Sequence, residues 1–362
     1  MKILYVITSS DVGGAERALT NLVRFLPKYY QIKVVCLKPL GEQGKILREL
    51  GADITSLNMQ GAGLGIVSKL VHEIESFKPD IVHAMLFRAI EFTRLACAGR
   101  NINLITTPHF DLSKKPLWMR WLDRSLKSID TISTAESVST YNYLVDIQGY
   151  PNKKTLLIGN SVEKSLFFKD NYLKSHMREK YHFAKDDVIF ISVARLAAVK
   201  NPLFAAKVFL KILSTCPKAK FVFVGEGMER TVLEKFIQEN KLEKQIILAG
   251  EQKNINEWLN LADVFVLVSK EESLPLALLE ARQIGLPCIV SNVGDMPKLV
   301  EHGKNGFVGR PKDEILMSCF FAELYENKQL RQQMGEKSLC MAGQVKDSSQ
   351  QYQQLYQQIL NQ

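Results

Sequence analysis

The chain has no apolar run approaching the ~18 residues that a membrane-spanning helix needs, so a helical integral membrane protein is not expected. Its opening residues, MKILYVITSSDVGG, end in a glycine turn rather than a small-residue cleavage site and read as a first β-strand instead of a leader. There is no Cys-x-x-Cys pair. Cys36, Cys97, Cys216, Cys288, Cys319 and Cys340 are scattered, several inside strand-like runs such as VVCL and PCIV, and read as buried free thiols of a reducing compartment rather than a disulfide framework or zinc site. No Asp-x-Asp pair and no His, Asp or Glu cluster at metal-ligand spacing occurs, so neither a metal nor another cofactor is expected. The G-x-G-x-x-G fingerprint is also missing, which disfavours a dehydrogenase. Low-complexity tracts and internal repeats are absent.

What remains is a globular composition, 46% hydrophobic, spread over 362 residues. That length is too great for one ordinary core and suits two domains of about 150 residues each. A net charge of +9 favours phosphates, polyanions or an anionic membrane surface without choosing among them; no motif points to nucleic acid.

Strand-like runs alternate with amphipathic helices: KILYVIT, GGAERALTNLVRFL, KVVCL, GKILRELG, ADITSL, IVSKLVHEIESFK, IVHAM. The same alternation restarts after Tyr181 with VIFISVARL, NPLFAAKVFLKILSTC and KFVFVGEG. Each series predicts a doubly wound α/β domain with a parallel sheet. The polar stretch IGNSVEKSLFFKDNYLKSHMREKY breaks the rhythm and puts a domain boundary near residue 168. In the terminal stretch SSQQYQQLYQQILNQ, Tyr352, Leu355, Tyr356 and Ile359 share one helical face, which predicts a helix (about 346–362) returning to the first domain. Two such domains facing across a cleft would hold ligands in the loops that follow their strands.

Those loops carry the chemistry. In SSDVGGAER, Gly13 and Gly14 either form a plain strand-to-helix turn or bring backbone N–H groups and a helix N-terminus up to an anion. In VARLAAVKNP, Arg195 and Lys200 are two surface cations or converge on one diphosphate, as fork and point charge. In KEESLPLALLEARQIG, Ser273 reads as an N-cap and Pro275 as a first-turn residue, placing Glu272 before a short helix and Glu280 within it. An acidic residue so placed can accept from ribose hydroxyls, and one at the helix start can meet a diphosphate-linked group; incidental surface glutamates are the plainer alternative. His83 and His109 sit at strand exits, either structural or facing the cleft.

The segment LSKKPLWMRWLDRSLK combines Lys114, Lys115, Arg120, Arg124 and Lys127 with Trp118, Trp121, Leu122 and Leu126 at helical spacing. It reads either as a basic amphipathic helix on an anionic membrane or as a domain helix whose tryptophans face the core.

In order and spacing, GGAE, DIVHAM, PHFD, IGNSVE, ARLAAVKN, VFVGEG, LAG, ADVFVLVS and the paired glutamates with seven residues between them resemble the retaining nucleotide-sugar glycosyltransferases of family 4, which have the GT-B fold of two facing Rossmann-like domains. The resemblance covers nearly the whole chain. It implies that residues 1–168, with the terminal helix, bind the acceptor and that 169–345 bind the donor. It assigns Arg195 and Lys200 to the donor diphosphate, Glu280 to the ribose, Glu272 to the donor sugar with Ser273 and Leu274 beside it, and Gly250 to the nucleobase. His109 would lie near the reacting sugar, and Gly13 with Gly14 would close on the ligands. Ser273 and Ser161 stand where the family usually has glycine.

The expected activity is therefore metal-independent, retaining transfer of a hexose or N-acetylhexosamine from a nucleoside-diphosphate sugar to a hydroxyl on a glycan or lipid-linked acceptor. The expected setting is bacterial cell-surface polysaccharide or glycolipid synthesis in the cytoplasm, at the inner face of the membrane if the basic helix docks there. The alternatives are a non-catalytic nucleotide-sugar-binding subunit and a sugar-nucleotide epimerase of similar fold.

Overall fold

The computed structural model describes residues 1–11, 13–61, 63, 65–109 and 116–361. Lys114 and Lys115 of the basic segment, and Phe110 and Asp111 of the PHFD motif, lie outside them. The chain forms two compact units, 1–161 with 346–362, and 162–345. The division falls between Ser161 and Val162 rather than near residue 168.

The first unit carries strands β1 (Lys2–Ile7), β2 (Gln31–Cys36), β3 (Asp53–Ser56), β4 (Ile81–Met85), β5 (Asn103–Thr107), β6 (Ile132–Ala135) and β7 (Thr155–Leu157). They form one parallel sheet in the order β3-β2-β1-β4-β5-β6-β7. The second carries β8 (Val188–Val193), β9 (Ala219–Val224), β10 (Ile246–Gly250), β11 (Val264–Leu267), β12 (Cys288–Ser291) and β13 (Gly306–Gly309), all parallel, in the order β10-β9-β8-β11-β12-β13. Both are doubly wound sheets, and in each the order reverses beside the unit's first strand.

Alternating residues of a central strand go to opposite faces, and here both faces are apolar. Ile3, Tyr5 and Ile7 enter one core and Leu4 and Val6 another; Phe190 packs with Phe209, Phe221 and Phe321, whereas Ile189 and Ile191 pack with Val222 and Phe265.

The terminal helix Ser348–Leu360 buries Tyr352, Leu355, Tyr356 and Ile359 in the core that holds Ile3 and Tyr5. Ser161 holds the approach to this helix: its Oγ accepts from the Ser348 N–H at 2.9 Å and lies 2.8 Å from the Ser348 Oγ. Beneath the helix runs a buried polar chain. The Tyr356 hydroxyl lies 3.0 Å from that of Tyr5 and 2.8 Å from His83 Nδ1; His83 Nε2 lies 2.7 Å from Thr107 Oγ1, and Thr134 Oγ1 is 3.0 Å from the Tyr352 hydroxyl. His83 is thus a fully buried residue in the middle of β4, not one at a strand exit. Burial, aided by the nearby His109, pushes its imidazole down to about 3, so it is neutral.

A second buried polar knot surrounds Arg94, 1% exposed. Its guanidinium donates to Asp130 at 2.6 and 2.8 Å, to Glu91 at 2.9 Å and to Asp123 at 3.0 Å. Three carboxylates around one cation are not all neutralised; burial, opposed by Arg94, holds Glu91 up at about 8.

All six cysteines are free. Cys36, Cys97, Cys216 and Cys288 are buried as expected, but Cys319 and Cys340 are exposed. Among the described residues, no helix is long and apolar enough to cross a membrane.

Candidate functional site

In the second unit the loop after β8 and the loop after β11, neighbouring strands at the reversal of strand order, are brought together. Hydrogen bonds join them: Lys270 N–H donates to Val199 O at 2.8 Å, and the Asn201 side chain donates to Val268 O at 3.4 Å. Asn201, with a left-handed φ of 60°, precedes the helix Pro202–Ile212.

This junction places Lys200 Nζ 2.6 Å from Glu272 Oε1, and the Ser269 hydroxyl donates to the same oxygen at 2.7 Å. The Glu272 side chain is 7% exposed and that of Lys200 23%. Arg195, by contrast, is exposed and has no ion-pair partner among the described residues. The two expected cations therefore differ: one is held by a carboxylate, the other is directed to solvent.

The helix Leu276–Gln283 follows. Its N-cap is Pro275, with no side-chain cap bond, so the sequence reading of Ser273 as the cap is corrected. Ser273 instead offers its carbonyl to the Asp295 N–H at 3.0 Å. Leu274 is half-buried in the same loop. Glu280 is fully buried on the helix, the position the paired-glutamate spacing predicts.

Two glycines let backbone approach backbone around this site. Gly294, at φ +55°, lies under the Glu272 loop, where a Cβ would come 2.1 Å from Glu272 O. Gly225, at φ +137°, lies under the Arg195 loop, where a Cβ would come 2.1 Å from Ala194 O. Gly250, at the end of β10, accepts at its carbonyl from the Gly225 N–H at 2.8 Å, which ties the expected nucleobase position to the same loop. Ser269, Asn201 and Gly294 were not singled out in the sequence. Ser269 stands three residues before Glu272; nothing local marks the other two.

In the first unit, Gly13 is the N-cap of the helix Gly14–Phe25 in an extended conformation, and neither glycine has a positive φ. The tight-turn reason for this pair is therefore corrected. A Cβ on Gly13 would meet Glu16 Oε2 at 2.2 Å, whereas one on Gly14 would meet nothing within 4 Å. His109, after β5, has a left-handed φ of 54°. Its Nε2 is buried without a hydrogen-bond partner among the described residues. Burial lowers its imidazole below the usual range, against the opposing pull of Glu136 after β6. No group of three or more His, Cys, Asp or Glu that could hold a metal occurs among the described residues.

Two doubly wound parallel-sheet units of seven and six strands, with a helical C-terminal segment, are the GT-B architecture. The Glycosyltransferase Family 4 model matches residues 12–166 and the Glycosyl transferases group 1 model residues 174–339, and the chain belongs to these glycosyltransferases. It is 26% identical over 282 residues to N-acetyl-alpha-D-glucosaminyl L-malate synthase of Bacillus anthracis, covering 76% of this chain and 73% of that protein. It is 37% identical over 139 residues to the UDP-Gal:alpha-D-GlcNAc-diphosphoundecaprenol alpha-1,3-galactosyltransferase of Escherichia coli, a match spanning 37% of this chain and only 36% of that enzyme. The structure of HepE from Anabaena in complex with UDP-glucose superposes with a TM-score of 0.87 at 19% identity, over the full length of both chains. This last likeness shows the fold.

Proposed function

We propose that the chain transfers a sugar from a nucleoside diphosphate to a hydroxyl acceptor, with retention at the anomeric carbon and without a metal, in the synthesis of a cell-surface polysaccharide or glycolipid. The observation that carries this reading is the junction of the Arg195–Lys200 and Glu272–Leu274 loops beside the helix that bears Glu280. The names of the relatives, with UDP-sugars and a diphosphoundecaprenol-linked acceptor among them, support it.

In this reading the bond from the sugar carbon to the diphosphate oxygen breaks, and its electron pair stays on the diphosphate. Lys200 and Arg195 stabilise that charge as it develops. Glu272 orients the sugar hydroxyls and supports the electron-poor carbon, and Glu280 accepts from the ribose. Ser273, Leu274 and Gly250 bound the donor's sugar and base. The acceptor oxygen bonds to the same face of the sugar, and its proton passes to the leaving diphosphate oxygen, so no separate general base is required. The roles of His109, Gly13 and Gly14 are proposed on the family resemblance alone.

The test is a screen of UDP- and GDP-sugars against glycan and lipid-linked acceptors, reading nucleotide release and the anomeric configuration of the product by NMR. Release of nucleoside diphosphate with an α-linked product from an α-donor is expected, unchanged by chelator. An inverted product would sink retention. Interconversion of the donor sugar without nucleotide release would make the protein an epimerase, and tight donor binding with no turnover on any acceptor would make it a binding subunit.

A further inference from the structure

The helix Leu117–Leu126 is inverted relative to an ordinary surface helix. Its acidic residue points inward: Asp123 is buried and accepts from Arg94 at 3.0 Å and from the Tyr150 hydroxyl at 2.6 Å. Its largest apolar side chains point outward: Leu117, Trp118 and Trp121 are 77%, 63% and 70% exposed, whereas the third tryptophan of the chain, Trp258, is 3% exposed. Of the two readings the sequence left open for this helix, the one in which its tryptophans face the core is excluded. Positions 117, 118 and 121 fall within an arc of roughly 100° at 3.6 residues per turn, and Arg124 extends the same stripe.

Cations flank this apolar stripe and are held in place. The Arg124 guanidinium donates to Ile147 O at 2.5 Å, Lys127 Nζ donates to Gly149 O at 2.7 Å, and Arg120 lies 5.8 Å over the Tyr143 ring. Between Leu117 and Lys127 the only carboxylate is Asp123, already paired with Arg94. The outer face is therefore apolar at its centre and cationic around it, on a helix anchored from below.

We propose that this face docks on an anionic lipid bilayer, with Leu117, Trp118 and Trp121 entering at headgroup depth and Arg120, Arg124 and Lys127 meeting lipid phosphates. Indole rings favour the boundary between water and hydrocarbon, and each cation near an anionic leaflet adds attraction. A second copy of the chain suits the face less well, because a two-fold pairing would bring like-charged stripes together. The inference does not depend on glycosyl transfer, since it is read without donor or acceptor.

The experiment uses the full chain with vesicles of phosphatidylcholine alone or mixed with phosphatidylglycerol, reading co-flotation, tryptophan emission and quenching by brominated lipids. Expected are binding to the phosphatidylglycerol vesicles that weakens with salt, a blue-shifted emission and quenching. The double substitution Trp118→Ser/Trp121→Ser removes two largely exposed side chains, one of which, Trp118, also packs edge-on against the Phe87 ring at 6.3 Å between centroids, so the thermal transition should remain cooperative and fall only slightly. It should weaken binding about tenfold or more and abolish quenching, because the remaining Trp258 is buried. Absence of flotation at low salt, or binding undiminished in the double variant, overturns the proposal. Self-association without lipid binding, lost in the double variant, also overturns it and gives the face to a second copy.

Discussion

Lys200 and Glu272, 72 residues apart in sequence, share a 2.6 Å ion pair in a loop junction where Arg195 stays exposed. In the proposed reaction, a donor diphosphate arriving at Lys200 would compete with Glu272 for the same ammonium. Glu272→Gln keeps the shape and removes that competition. Turnover is expected to fall about 10²-fold or more, while UDP binds as tightly as before or more tightly. Initial rates and calorimetric titration check this pair of outcomes; unchanged turnover would remove Glu272 from the chemistry.

The two cations should separate in a stability measurement. Arg195→Ala removes an exposed side chain and is expected to leave the thermal midpoint alone, while lowering kcat by about 10²–10³. Lys200→Ala leaves a nearly buried carboxylate without its cation. It should lose activity and also about 1–3 kcal/mol of stability, the range for a group stripped of its partner and partly open to water. Equal stability in the two variants would contradict the asymmetry of the site.

Gly294 is a backbone requirement of the Glu272 loop. Gly294→Ala forces a left-handed alanine, itself about 1–2 kcal/mol, and drives a methyl group to 2.1 Å from Glu272 O. Activity should fall at least about tenfold along with stability. Gly14→Ala, with nothing within 4 Å of the added carbon, should leave the melting temperature unchanged. The comparison of melting curves and rates for the two alanine variants decides the matter.

The buried His83 makes the first unit sensitive to acid. Its folded value is about 3 and an exposed histidine titrates near ~6.5, so between these values the unfolded chain binds a proton that the folded chain refuses. Stability should be unaffected by this residue above about pH 6.5 and should decline as pH falls toward about 3, by up to ~1.4 kcal/mol per pH unit. Urea midpoints for wild type and His83→Gln across that range isolate the slope. Equal slopes would show that His83 takes up its proton without cost. Tyr356→Phe, which leaves His83 Nδ1 and the Tyr5 hydroxyl short of a partner, should cost about 1–3 kcal/mol at neutral pH.

Much of the architecture was legible because parallel strands and amphipathic helices write their periods locally, as in KILYVIT and the Tyr352–Ile359 face. The paired-glutamate spacing likewise placed Glu280 inside a helix. What could not be read were relations across long sequence distances. His83 looks like a strand-exit histidine until Tyr356, 273 residues later, supplies its partner. The basic helix presents two amphipathic faces, and only Arg94, reached through Asp123, decides which turns inward. Gly294 is unremarkable in SNVGDM until the Glu272 carbonyl is found above it.

The first unit is assembled from both ends of the chain, with 162–345 inserted between its parts. During synthesis the inserted unit is whole once residue 345 has left the ribosome. The earlier sheet must wait, with Tyr5, His83 and Thr107 uncovered, until Tyr352 and Tyr356 emerge. The portion made first is therefore finished last, and for most of its translation the nascent chain carries a sheet face of apolar side chains such as Ile3 and Ile7 beside polar groups still lacking their terminal-helix partners, a surface that a chaperone could recognise.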